Sequence, residues 1–203
     1  MARSLLDKRS RSSHRAPPHL MTAEELFALA DGDERYERYE LVRGELREEE
    51  MAGWQHSWVG LNILLLLAND PDAKDAGRVV VDNTAYVLAR HPDTVRIPDV
   101  SFVRHERLPP PLVSGRAALA PDLAVEIRSP NDLADEPEDK LADYFTAGVR
   151  LVWIVDPDTR TVEVWPPDRQ KRVLSGEDVI DGSDVIPGFQ CSVARFFEGV
   201  AGT

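Results

Sequence analysis

The run Leu123-Ala124-Val125-Glu126-Ile127 restricts the fold of this chain more than any other segment, because it sets a carboxylate inside an otherwise apolar strand. Side chains alternate across a strand, so Glu126 shares a face with Ala124. An ionised carboxylate in a dry core is costly unless a partner meets it, and the fold must bring one. A second acid raises the same question. Ile97-Pro98-Asp99-Val100-Ser101-Phe102-Val103 opens an apolar strand on Asp99, which either caps a Pro-Asp turn or faces a partner. Two carboxylates on adjacent strands form a hard-oxygen site for Mg²⁺ or Mn²⁺, ions that bind a phosphate oxygen and acidify a water. Paired acids also serve glycoside hydrolysis, but no aromatic sugar platform stands near Glu126.

Around these strands the sequence predicts alternating elements. Thr22-Ala23-Glu24-Glu25 has capping-box spacing and opens a helix to about Ala30. Tyr39–Val42 and Glu45–Glu49 flank Arg43-Gly44, a tight turn between antiparallel strands. From Ala52 to Asn69, Trp54, Trp58, Leu61 and Leu65 recur every three or four residues, which predicts a helix buried on that stripe. Strands follow at 79–81, 84–88, 97–103 and 123–127, with a loop at Pro109–Pro111. A helix from Pro137 to Ala147 is closed by Gly148, strands at 151–155 and 161–165 surround Asp156-Pro157-Asp158, and a last helix spans 192–198. The expectation is a single α/β (mixed α+β) domain, a mixed sheet flanked by helices. The 203 residues, 42% of them hydrophobic, suffice for one core.

Net charge is −12, which argues against a broad basic surface that coats nucleic acid. A metal-dependent nuclease stays compatible, since its centre is itself acidic. Residues 1–20 carry +4, leaving −16 on the remainder (−12 minus +4), and read as a basic flexible arm that is either untethered or phosphate-contacting. A single cysteine, Cys191, forms no intramolecular disulfide, so a reducing, cytoplasmic setting is expected. The longest apolar run, Ile63–Ala68, is far short of a membrane span, so no membrane association is expected.

Several segments together resemble a known family. Pro98-Asp99, Val125-Glu126-Ile127-Arg128-Ser129-Pro130-Asn131-Asp132, Asp139-Lys140-Leu141, Tyr144, Gly148-Val149 and Trp153-Ile154-Val155-Asp156 look like the Uma-two family, whose members are described as endonucleases. Tyr39-Glu40-Leu41-Val42-Arg43-Gly44-Glu45-Leu46, His56 and Asp184-Val185-Ile186-Pro187-Gly188-Phe189 fit the same pattern in the same order, so the resemblance covers roughly residues 20–198. It implies a PD-(D/E)XK, restriction-endonuclease-like fold and a Mg²⁺- or Mn²⁺-dependent hydrolase acting on DNA.

By the same resemblance, Asp99 and Glu126 bind the metal with the Ile127 carbonyl. Glu40 completes the metal shell, binds the attacking water, or pairs with a basic neighbour. The superfamily's lysine position, two residues past the acid, holds Arg128. The family pattern takes the lysine from the following helix, here Lys140, eleven residues after Ser129. A buried ammonium can shift toward neutrality and activate water, whereas a guanidinium stays charged. Lys140 is therefore expected to point back at Glu126, with Arg128 clamping a phosphate or pairing with an acid such as Glu40. His56 is either a base or a structural histidine, and Tyr144 either orients Lys140 or packs. The acids Asp132, Asp135, Glu136, Glu138 and Asp139 would repel a phosphate backbone unless they face away from it. The resemblance also implies a homodimer, for which Leu151-Val152-Trp153 and Phe196-Phe197 are the apolar candidates. The competing reading is a non-catalytic nucleic-acid-binding or accessory module that retains the nuclease fold.

Overall fold

Thr22 Oγ1 accepts from the Glu25 N–H while the Glu25 carboxylate accepts from the Thr22 N–H, so the expected capping box opens α1 (Ala23–Gly32). The computed structural model describes residues 19–49, 52–81, 84–108, 119–129, 136–168 and 170–200. The arm at 1–18, the Pro109–Pro111 loop and, in the acidic run before Lys140, Asp132 and Asp135 lie outside the described residues. Within the expected arm, His19 is placed 3.1 Å from Glu25. Next come β1 (Tyr39–Val42) and β2 (Glu45–Glu48), paired across Arg43 and Gly44. Both turn residues have positive φ, 51° and 84°, the geometry whose twist suits a two-residue hairpin. A Cβ on Gly44 would lie 2.6 Å from the Leu20 Cβ, so space as well as φ calls for glycine.

The chain continues through α2 (Trp54–Asn69), α3 (Pro71–Ala76), β3 (Gly77–Val81), β4 (Tyr86–Ala89), β5 (Thr94–Arg96), β6 (Val100–Arg104) and β7 (Leu123–Ile127). It ends with α4 (Glu136–Thr146), β8 (Leu151–Asp156), β9 (Thr161–Trp165), β10 (Arg172–Ser175), β11 (Val179–Gly182), β12 (Ile186–Ser192) and a 3₁₀ turn at Val193–Phe197. Six strands form the main sheet in the order β10-β9-β8-β7-β6-β3, and a smaller sheet runs β2-β1-β5-β4. Among the described residues only β7 and β8 pair in parallel, and α4 is the crossover that parallel neighbours require.

The two faces of the main sheet are covered differently. On one, Leu123, Val125, Trp153 and Val155 pack under Val59, Ile63 and Leu67 of α2 and under Phe189 and Phe196. On the other, Ala124, Val152 and Ile154 meet Leu141 and Tyr144 of α4, with Tyr86 from the smaller sheet. Alternation along β7 therefore turns Glu126 toward α4.

Four expectations change. Helix α2 forms, but it buries Val59, Ile63 and Leu67 and leaves Trp54, Trp58, Leu61 and Leu65 exposed. The helix is apolar on both sides, so its period cannot choose between them. Gly60 decides, because a Cβ there would lie only 3.3 Å from Ile127 Cδ1, and the side without bulk meets the sheet. The expected strand 97–103 is broken, since β5 ends at Arg96, β6 starts at Val100, and Pro98 offers no N–H to a ladder. The expected last helix is a five-residue 3₁₀ turn preceded by a hairpin, β11–β12, that sequence periodicity missed. Leu151, Val152, Trp153, Phe196 and Phe197 are all core, so they offer a second copy no surface. Among the described residues, no helix is long and apolar enough to cross a membrane.

The corrected face of α2 gives a stability contrast. Ile63→Ala should cost about 2–5 kcal/mol in urea denaturation. Leu61→Ala, measured at submicromolar protein, should stay within about 0.5 kcal/mol.

Candidate active site

Strand pairing brings the two acids together. Val100 of β6 stands opposite Val125 of β7, so Asp99 arrives beside Glu126, and Asp99 Oδ2 accepts the Ile127 N–H at 2.7 Å. From the first turns of α2, His56 Nε2 reaches to 3.3 Å from Asp99 Oδ1. Lys140 and Tyr144 stand four apart on one face of α4, and both turn to Glu126. Lys140 Nζ donates to Glu126 Oε2 at 3.1 Å, and the Tyr144 hydroxyl donates to Oε1. The partner that Glu126 needs thus comes from the helix, and both of its oxygens are engaged.

Lys140 meets two further acids from the smaller sheet, donating to Glu49 Oε1 at 3.2 Å and lying 3.7 Å from Glu40 Oε1. Glu40 is fully buried at 0% exposure, accepting from Arg96 Nη1 at 2.6 Å and from the Ile97 N–H at 2.8 Å. Arg96 in turn binds Asp143 of α4 at 2.7 Å. With its oxygens taken by Arg96 and Ile97, Glu40 does not pair with Arg128. The Arg128 guanidinium instead lies 3.4 Å from Glu163 and 3.6 Å from Asp156 on the neighbouring strands. Glu49 is the site residue that sequence reasoning missed. It sits in Arg47-Glu48-Glu49-Glu50, a charged run that reads as solvated, and only folding carries it to Lys140.

The family model described as "Uma2: Putative restriction endonuclease" matches residues 23–194. The chain belongs to this family. The Uma2 match spans every residue of the cluster, from Glu40 to Tyr144 and Arg128. A crystal structure of "a putative nuclease belonging to DUF820" from Anabaena variabilis ATCC 29413 superposes with a TM-score of 0.70 at 19% identity, over 78% of this chain and 89% of that one. The two share a fold. No curated protein matches this chain.

Charge balance explains the protonation of this Uma2 centre. Burial pushes Glu126 up to about 7, Lys140 opposing and the Asp99 charge adding to the rise. Burial likewise carries Glu49 up to about 8, reinforced by the Glu40 charge. Glu40 stays below the ordinary carboxylate range, since the positive charges of Lys140 and Arg96 outweigh its burial. For Lys140, burial favours the neutral amine, but Glu126, Glu40 and Glu49 hold the proton on and raise its pKa well above the usual value. The expected drift of this lysine toward neutrality is therefore reversed, and the group is a charged donor.

No three ligating side chains converge among the described residues. Asp99, Glu126 and the Ile127 carbonyl carry the hard oxygen donors that suit Mg²⁺, while both carboxylates are engaged by Lys140, Tyr144, His56 and the Ile127 N–H.

Glu126 and Glu49 keep protons in the fold that the unfolded chain releases near pH 4–5, so the folded state binds more protons up to about pH 8. That excess stabilises at low pH and is lost as pH rises through the folded pKa values. In EDTA, the melting temperature should therefore fall between about pH 5 and 8, and Glu49→Gln should flatten the upper part of that slope, where Glu126 has already titrated. An unchanged slope in Glu49→Gln would remove Glu49 as the proton carrier.

Proposed function

We propose that this chain is an endonuclease that hydrolyses DNA phosphodiester bonds with Mg²⁺ or Mn²⁺ held by Asp99, Glu126 and the Ile127 carbonyl. The observation that carries the reading is the Lys140 ammonium, donated from α4 to Glu126 at 3.1 Å beside Asp99. This joins a cation to two acids on adjacent strands, the combination phosphoryl transfer needs. A bound divalent ion supplies Lewis acidity to a phosphoryl oxygen and lowers the pKa of a water.

The side chains divide the remaining work. Lys140, kept charged by its acidic surroundings, directs N–H donors at the attacking water and at the oxygens that gain charge as phosphorus becomes five-coordinate. Tyr144 fixes the rotamer of Glu126, and His56 does the same for Asp99. Glu40, saturated by Arg96 and Ile97, acts as a positioning residue that holds the smaller sheet against Lys140. Arg128 binds a substrate phosphate. Its two ion pairs are long, at 3.4 and 3.6 Å, and its buried Nε has no hydrogen-bond partner among the described residues, so the guanidinium retains capacity for an oxyanion.

A plasmid-nicking assay with and without Mn²⁺ tests the reading. Lys140→Ala should lower kcat by about 10²- to 10³-fold while calorimetric Mn²⁺ binding persists. Asp99→Asn or Glu126→Gln should abolish both, and Arg128→Ala should chiefly raise KM. A wild-type protein that binds DNA but nicks it with neither ion would instead be an accessory module on a nuclease fold.

A further inference from the structure

We propose that Glu49 holds the place of a DNA phosphate on Lys140 and swings aside when the phosphate arrives. The inference rests on the nuclease reading and adds a positioning residue to the same centre. A lysine ammonium has N–H donors and no acceptor, so its partners are oxygens. At Lys140, Glu126 Oε2 accepts at 3.1 Å, Glu49 Oε1 accepts at 3.2 Å, and Glu40 Oε1 stands 3.7 Å away. Lys140 is itself only 11% exposed, so an ammonium already facing these three acids has little room for a phosphate. One of the acids must withdraw before Lys140 can act on a substrate.

Confinement selects which one. Glu40 is buried, and Arg96 and the Ile97 N–H hold its two oxygens. Glu126 stands inside β7 and gives its other oxygen to the Tyr144 hydroxyl. Glu49 comes just after β2, an outer strand of the smaller sheet, and at 32% it is the most exposed of the three. Its main chain is held, since the Glu49 N–H donates to the Arg38 carbonyl at 2.8 Å, so the side chain can rotate while the strand stays in place. The exchange costs Lys140 nothing in kind. A carboxyl oxygen leaves the ammonium and a non-bridging phosphodiester oxygen replaces it. The contact also sets selectivity, because an isolated small anion gains only Lys140 by displacing Glu49, whereas a DNA strand brings a further phosphate to Arg128.

Fluorescence anisotropy of a labelled DNA duplex on the full chain, with Ca²⁺ in place of Mn²⁺ to hold back turnover, reads the exchange. Glu49→Ala should bind at least ~10-fold more tightly than wild type, about 1.4 kcal/mol, because no hydrogen bond to Lys140 has to be broken first. Glu49→Asp keeps the acid but is one methylene short of Lys140, so it should also bind more tightly. A gain in Glu49→Ala alone would be plain charge repulsion and overturns the proposal. In a Lys140→Met background the Glu49→Ala gain should vanish, and a gain that persists there overturns it as well. Should the double variant unfold, Glu49→Asp against wild type carries the test. A residue that merely props Lys140 in place loses affinity when truncated, so weaker binding by Glu49→Ala overturns the proposal, as does unchanged binding. Nicking with Mn²⁺ alongside unchanged binding in the variants keeps the endonuclease and discards the Glu49 exchange. Tighter binding by both variants without nicking keeps the exchange on an accessory module. No DNA binding by wild type or variants overturns both.

Discussion

The Lys140–Glu126 pair is the contact on which the arrangement of this molecule depends. A carboxylate in the middle of the central strand needs a cation, and α4 is the element that delivers one. The same helix joins the parallel strand pair β7 and β8, so the connection required by topology also supplies the cation. Shifting α4 by one residue would move Lys140 and Tyr144 about 100° around its axis and leave Glu126 buried without a partner. The crossover, the sheet order and the site are therefore one constraint.

The smaller sheet is tied into that constraint by charge. Arg96 binds Glu40 on one side and Asp143 of α4 on the other, so β1, β5 and α4 are fixed together at Lys140. Buried ion pairs of this kind add little net stability over an apolar packing, but removing one member strands the other at a cost of about 3–5 kcal/mol. Their effect is on geometry. With Glu40, Glu49 and Glu126 around one ammonium, the centre has more carboxylates than cations, and it answers by retaining protons on Glu126 and Glu49. Keeping protons near neutrality holds down the centre's own negative charge.

Much of this was legible in the chain. The buried acid of β7, the capping box of α1 and the Arg43-Gly44 turn follow from local patterns that persist in the fold, and the direction of Lys140 followed from the family resemblance. The wrong face of α2 shows where such reading stops. Trp54, Trp58, Leu61 and Leu65 have the same period as Val59, Ile63 and Leu67, and only the close approach of Gly60 to Ile127 separates the two stripes. Glu49 was invisible for the opposite reason, since nothing in a run of charged residues marks the one that folding will bury. The pairing of Arg128 with Glu163 and Asp156 depends on strand order, which no local window contains.

The sequence by itself determined that β1, β7 and α4 form around the centre, and that Glu126 had to meet a donor, because alternation and desolvation act on neighbours along the chain. Tertiary structure decided which donors it met, that Lys140 stays charged, and which side of α2 remains open. Those outcomes rest on Coulomb interactions and packing among residues as much as 100 positions apart, where the separation that matters is measured through space.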